Sequence, residues 1–194
     1  MTSNSTLNLV LDLDNTMIHT FVPEYSKDCE SYIKVFEKEK NFLTTVTKQS
    51  FIGFVFLRPY LIDFLLKAQK VFKLYVFSAG TRDYVYLIIN TIISKYPQIQ
   101  IDGLFSNEYL INNKKCILRY LDVQKTYIID DLPSYWNQKC FRINQFISFK
   151  EEIKIDEKTN KKSILLDKKY NDNDKYLLDY FDKFIQIVNL DINL

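Results

Sequence analysis

Asp12 and Asp14 stand two residues apart in the string Asp12-Leu13-Asp14-Asn15-Thr16, directly after the apolar run Leu7 to Leu11. A carboxylate at the tip of a buried strand can attack phosphorus and carry the phosphoryl group as an aspartyl-phosphate. Its two oxygens can serve separate tasks, one on phosphorus and one on a cation. The second acid lies within reach of the leaving oxygen. It can protonate the departing alkoxide, then deprotonate the water that hydrolyses the intermediate. A dianionic phosphate does not approach bare carboxylates, so a hard cation is needed. Mg2+, with all-oxygen ligands and retained waters, suits that role. Thr16 can fix the loop through its hydroxyl. Taken alone, the same string is equally a solvated acidic turn.

Three further groups complete a constellation. Ser78, followed by Ala79 and Gly80, offers a hydroxyl and open backbone N–H groups to phosphate oxygens; by itself it is a helix cap. Asp130 and Asp131 are adjacent acids after Tyr127-Ile128-Ile129. They repel each other unless a metal or a lysine sits between them. Lys114 and Lys115 precede that run. Either can supply the charge and stabilise a transition state, although surface exposure is the usual fate of lysine.

The elements that must position these residues are legible from patterning. Leu7 to Asp12 reads as a buried strand, Phe51 to Leu57 as a second, Phe72 to Phe77 as a third and Thr126 to Ile129 as a fourth. Lys139 to Phe149 holds one more. Pro59 suits the first turn of a helix carrying Leu61, Phe64, Leu65 and Ala68 at helical spacing. Thr81 caps a helix with Tyr84, Leu87, Ile88 and Ile92 on its buried face, ended by Pro97. Asp174 to Asn189 is a closing amphipathic helix. Strands alternating with helices predict an α/β fold with a parallel sheet. Ligands of such sheets bind beyond the carboxyl ends of the strands, where Asp12, Ser78 and Asp130 all fall. Tyr25 to Ser50, with alternating stretches at Tyr32 to Phe36 and Phe42 to Val46, is read as a hairpin flap over the site. The charged run Glu151 to Lys169 is read as an exposed loop or weak hairpin.

The bulk numbers exclude several classes. The 194 residues are 47% hydrophobic and 26% charged, which fits one folded domain rather than a disordered chain. A net charge of +2 is too weak to indicate a nucleic-acid binder. Cys29, Cys116 and Cys140 form no CxxC pair and read as reduced thiols. A lone histidine, His19, excludes His-rich metal sites and disfavours a Ser-His-Asp mechanism. Met1 to Thr6 shows no secretory pattern, and the apolar stretches are too short to span a bilayer. A composition low in Gly and rich in Asn, Lys and Ile suits an AT-rich genome, such as that of a cellular parasite or a large DNA virus.

The sequence resembles the haloacid dehalogenase superfamily, and within it the FCP/SCP-type phosphatases acting on the C-terminal domain of RNA polymerase II. Asp12 to His19 parallels the family's DLDxTLVH, Arg58-Pro59 its RPG, Phe77 to Gly80 its FTAS, and Ile129-Asp130-Asp131 its acidic pair. Trp136 stands where larger members carry a tryptophan. The resemblance implies a Rossmann-like parallel sheet flanked by helices, in one domain over residues 1–194. A small flap inserted at about 23–52 takes the place of a large cap domain. It assigns Asp12 as nucleophile, Asp14 as acid/base, Ser78 as the phosphate-binding hydroxyl, and Lys114 or Lys115 as the site lysine. Lys114 keeps the family spacing; Lys115 fits the apolar pattern that follows and is slightly preferred. Thr16, Arg58, Ala79 and Gly80 fall to substrate binding. Mg2+ falls to Asp12, Asp14 through its backbone, Asp131 and Asp130, the last also holding the lysine. His19 is read as structural. Departures are Tyr60 in place of the family glycine, serine for threonine at position 78, and no BRCT module. The implied activity is Mg2+-dependent phosphoserine/phosphothreonine hydrolysis, with the polymerase tail as the expected partner. A monomer is expected, nuclear or cytoplasmic, without nucleic acid or membrane contacts. Alternatives are a phosphatase of small molecules or nucleic-acid ends, or an idle binding subunit of the same fold.

Overall fold

The structure, a computed structural model, describes residues 7–24, 29–48, 51–156 and 162–192. Residues 1–6, and the parts of the expected flap at 25–28 and 49–50, lie outside the described residues.

The central sheet is built from β1 (Leu7–Leu11), β5 (Phe72–Phe77), β6 (Gly103–Phe105), β7 (Thr126–Asp130) and β8 (Phe141–Arg142). Its order is β6-β5-β1-β7-β8, and every pairing is parallel. β1, apolar at every position but Asn8, therefore lies between β5 and β7. The alternating side chains of a strand serve two clusters. Leu9, Leu11, Leu74, Val76 and Ile129 pack with residues of α2 (Leu61–Ala68), α3 (Arg82–Lys95) and α4 (Tyr176–Ile192). Val10, Phe77 and Ile128 pack with Phe105, Ile117 and Trp136. β6 has only three residues, too short to give a periodic signal in the sequence. Gly103 belongs there for a steric reason: a Cβ would stand 2.9 Å from the Tyr75 ring.

A second sheet has the order β2-β4-β3, from β2 (Ile18–Phe21), β3 (Phe42–Lys48) and β4 (Phe51–Leu57), all antiparallel. A hairpin forms, but it pairs Phe42–Lys48 with Phe51–Leu57 rather than with Tyr32 to Phe36. Tyr32 to Phe36 lies in α1 (Cys29–Phe36). The alternation at Tyr32, Lys34 and Phe36 competes with an i, i+4 aromatic pair, and tertiary packing favours the pair. Tyr32 and Phe36 stack at 5.7 Å, and Phe36 meets Phe54 at 5.0 Å and Phe56 at 4.9 Å.

One other expectation shifts, and one resolves to the second of its two alternatives. The buried face of α3 is Val85, Ile88, Ile89 and Ile92, while Leu87 is 46% exposed. Tyr84 leaves that face for the acidic centre described below. The charged run after Ser148 is an antiparallel ribbon, β9 (Phe149–Ile155) with β10 (Lys162–Lys168), fully registered across seven pairs. Among the described residues, no helix is long and apolar enough to cross a membrane.

Candidate active site

The tips of β5, β1 and β7 deliver Ser78, Asp12 and Asp130-Asp131 to one end of the sheet. The chain after β1 turns at once. Asn15 takes a left-handed φ of 62°, and Met17 and Ile18 both donate to the Leu13 carbonyl. Asparagine tolerates that conformation better than most residues. The turn is pinned from outside, since the Asn15 carbonyl accepts from Phe146 N–H at 2.7 Å and from Arg58 Nη2 at 3.3 Å.

Lys115 is 3% exposed and donates to both Asp12 Oδ1 and Asp130 Oδ2, the latter at 2.7 Å. Lys114 is exposed. A two-residue turn separates their fates. Asn112 and Asn113 both hold positive φ, 51° and 59°, and Ile111 bridges Lys114. Lys115 follows on the bridge to Trp136 and enters the core side.

Asp130 is fully engaged. Its Oδ2 also accepts from Trp136 Nε1 at 2.7 Å, and its Oδ1 accepts from Leu132 N–H at 2.7 Å. Asp131 is held more lightly: Thr16 Oγ1 donates to Oδ1 at 3.2 Å and Gln145 Nε2 to Oδ2 at 2.9 Å. Thr16, expected at the substrate, is buried, and its hydroxyl also accepts from the Asp131 N–H. Its bonds go to Asp131 because the turn points it toward β7. Asp14 faces the other way. It accepts from Tyr84 OH at 2.6 Å and from Ser78 Oγ at 3.2 Å. Ser78 Oγ in turn accepts from Gly80 N–H at 2.9 Å. A Cβ on Gly80 would press on Tyr84 at 2.9 Å and on Ser78 Oγ at 3.1 Å. Ala79 is exposed beside them. Arg58 is 6% exposed, lies over the Phe146 ring at 5.6 Å and also donates to the Asn144 carbonyl. It buttresses the loops behind Asp131.

Tyr84 and Gln145 were missed as site residues by sequence reasoning. The helical spacing of Tyr84 assigns it to the core. Gln145 lies in an irregular segment with no period. The signal for Tyr84 was available: it is the polar-tipped member of an otherwise aliphatic face.

Oxygens of Asp12, Asp130 and Asp131 all lie within 4.8 Å of one another. Four acids, counting Asp14, gather around one buried ammonium, Lys115, so acidic groups outnumber the cation that bonds to them. An all-oxygen donor set with that excess fits a hard dication. Asp12 and Asp131 have lone pairs to give, whereas three of the four acceptor sites of Asp130 are taken by Lys115, Trp136 and Leu132. The Asp14 carboxylate points to Ser78 and Tyr84, so any share in a metal shell falls to its main chain.

Burial pushes the Asp12 carboxyl up to about 7, with Asp130 and Asp14 adding and Lys115 opposing. Burial also raises Asp14, restrained by the hydrogen bonds from Tyr84 and Ser78. Burial alone would lower Lys115, but Asp12 and Asp130 outweigh it and hold the ammonium charged. Burial pulls His19 down to about 4, with the Lys150 charge adding, and its Nδ1 shares a 2.7 Å hydrogen bond with Ser148 Oγ. The imidazole is therefore a neutral structural link outside the acid cluster.

The parallel sheet with acids gathered at one end is the arrangement that the sequence resemblance implies. Residues 7–167 match the family described as NLI interacting factor-like phosphatase, and the chain belongs to that family. It is 26% identical over 167 residues to an RNA polymerase II C-terminal domain phosphatase of Caenorhabditis elegans, covering 82% of this chain and 24% of that protein. Among solved structures it is similar to Fcp1, an essential RNA polymerase II CTD phosphatase, with a TM-score of 0.62 and 20% identity over 74% of this chain and 43% of that one. Fission yeast Fcp1 bound to beryllium fluoride gives a TM-score of 0.59 at 20% identity, over 73% and 42% of the two chains. The chain thus spans less than half the length of each of these relatives.

Proposed function

We propose that the protein is a Mg2+-dependent phosphoserine/phosphothreonine phosphatase working through an aspartyl-phosphate on Asp12. The observation that carries this reading is the grip on Asp12. One carboxylate oxygen is tied to the buried Lys115, with Asp130 and Asp131 within 4.8 Å. Mg2+, held by Asp12, Asp131 and the Asp14 main chain, would neutralise charge on the phosphoryl oxygens. The Asp12 carboxylate attacks phosphorus. Lys115 keeps its proton and stabilises the oxygens that gain charge in the transition state. Ser78 Oγ and the N–H groups after it orient the phosphoryl group. Asp14, raised by burial, carries a proton to the departing serine or threonine oxygen. It then takes a proton from the water that attacks phosphorus of the Asp12 acyl phosphate, which frees the Asp12 carboxylate and inorganic phosphate.

Family membership and the relatives' polymerase-tail activity support a phosphorylated peptide of that kind as substrate, and with it a nuclear setting. Hydrolysis of a phosphorylated polymerase-tail peptide with Mg2+ tests the reading. Asp12→Asn should remain folded by circular dichroism and lose turnover by about 10⁴-fold or more. Wild-type rates in that variant would sink the mechanism.

A further inference from the structure

Among the described residues, the outer edges of β2 and β9 carry no ladder partner, and both line one cleft. β2 is an outer strand of its sheet, and β9 has β10 on one side only. A cleft of about 490 Å3 lies between them. His19, Thr20, Phe21 and Val22 line one wall; Phe149 and Lys150 line the other. Consecutive residues line each wall, whereas a sheet face would present only every second residue.

The hydrogen-bond pattern fixes which backbone groups point inward. Ile18 donates to the Leu13 carbonyl at 3.0 Å and accepts from Asn15 N–H at 2.6 Å, away from its ladder with β4. Residues of an antiparallel ladder alternate sides. His19 and Phe21 therefore turn to β4 and Thr20 to the cleft; Val22, one residue past the ladder, lines the same wall. Glu24 continues the alternation, and its N–H crosses to the Glu151 carboxylate at 2.7 Å. That carboxylate stands where a strand carbonyl would. On the opposite wall Lys169 donates to the Ser148 carbonyl at 2.8 Å on the β10 side. By the same alternation, Phe149 directs its N–H and C=O into the cleft.

The cleft leads to the acidic centre. Thr20 Oγ1 is 2.7 Å from Tyr84 OH, which donates to Asp14 at 2.6 Å. Its charge is graded. The exposed Lys150 acts on His19, at the end nearer the centre, and the Glu24–Glu151 bridge lies farther along β2. In a chain bound with its phosphate at Asp12, the residues next to the phosphate lie by Lys150 and those farther out lie by Glu24 and Glu151.

We propose that this cleft is a strand-docking groove, in which an extended segment flanking the phosphorylated residue of a protein substrate lies between β2 and β9. Its backbone bonds to Thr20, Val22 and Phe149, in the manner of an added strand. The identity of the peptide rests on the phosphatase reading above; the edge geometry stands apart from it.

The test uses the full chain and a polymerase-tail peptide bearing a phosphonate in place of the phosphate. On binding, hydrogen exchange at the Thr20, Val22 and Phe149 amides should slow by about tenfold or more, while His19 and Phe21 change little. Methylating alternate peptide amides should weaken binding about tenfold, with intervening positions tolerant. A peptide that fails to bind, that binds without protecting those amides, or that shows no two-residue period overturns the proposal. So does peptide-free protection that grows with protein concentration, which would assign the edges to a second copy. Turnover of p-nitrophenyl phosphate on the same preparation separates the two readings. Turnover with unprotected edges sinks only the docking groove; protected edges without turnover sink only the hydrolytic reading.

Discussion

At the scale of single residues, the centre depends on how each polar atom is spent. Lys115 is the clearest case, a buried ammonium between two carboxylates, while its neighbour Lys114 is exposed. Lys115→Met should lower kcat by about 10²–10³-fold, and Lys114→Met should leave it within about twofold; equal losses would refute the assignment. The sequence named both lysines and favoured Lys115 only slightly, because the deciding fact is the left-handed pair Asn112-Asn113. His19 gives a pH prediction. Its folded value of about 4 lies below the unfolded one near 6.5, so the unfolded chain binds more protons between those values. The stability from its burial is complete above about pH 6.5 and is lost as pH falls toward 4. The loss should be about 1–2 kcal/mol after allowance for solvent screening. Denaturant titrations at pH 7 and pH 4.5 should show it, and His19→Gln should flatten that part of the pH dependence. An unchanged slope in the variant would count against this reading.

Elements position the residues by their tips and by close approach. Ser78, Asp12 and Asp130 were legible from sequence because each ends an apolar run; β1, β4, β5 and β7 were legible for the same reason, whereas β2, with its polar centre His19-Thr20, reads as chain turning away from the sheet. β6 was not legible, since three residues define no period. α1 was misread because Tyr32 to Phe36 satisfies both a period of two and an i, i+4 pair, and only the packing of Phe36 among Phe54, Phe56 and Phe149 decides. Gly103 shows what a short strand requires. Gly103→Ala would place a methyl against the Tyr75 ring, at a cost of about 1–3 kcal/mol. The loss should appear as a lowered denaturation midpoint with little change in KM. An unaltered midpoint would mean that Tyr75 can swing aside freely.

Across the whole molecule, the excess of acidic groups at one end of the sheet links metal binding to stability. Mg2+ at about 100 times its dissociation constant should stabilise the fold by about 2.7 kcal/mol. A thermal melt with and without the ion reads this directly. Asp131→Asn should abolish the Mg2+-dependent rise and lift the melting temperature of the metal-free protein, because one repelling charge is gone; a preserved rise would remove Asp131 from the ion's shell. The sequence by itself determined the alternation of strands and helices, the acids at the strand tips and the order in which they come. Those follow from hydrophobic patterning, which is local. Only the tertiary structure decided the rest. It put β1 between β5 and β7, committed Asp130 to Lys115 and Trp136, drew Tyr84 and Gln145 onto the acids, and set β2 and β9 along one cleft. Most of these depend on contacts between segments far apart in the chain, and even the nearer ones, such as Asp130 with Trp136, depend on a turn that no periodic pattern marks.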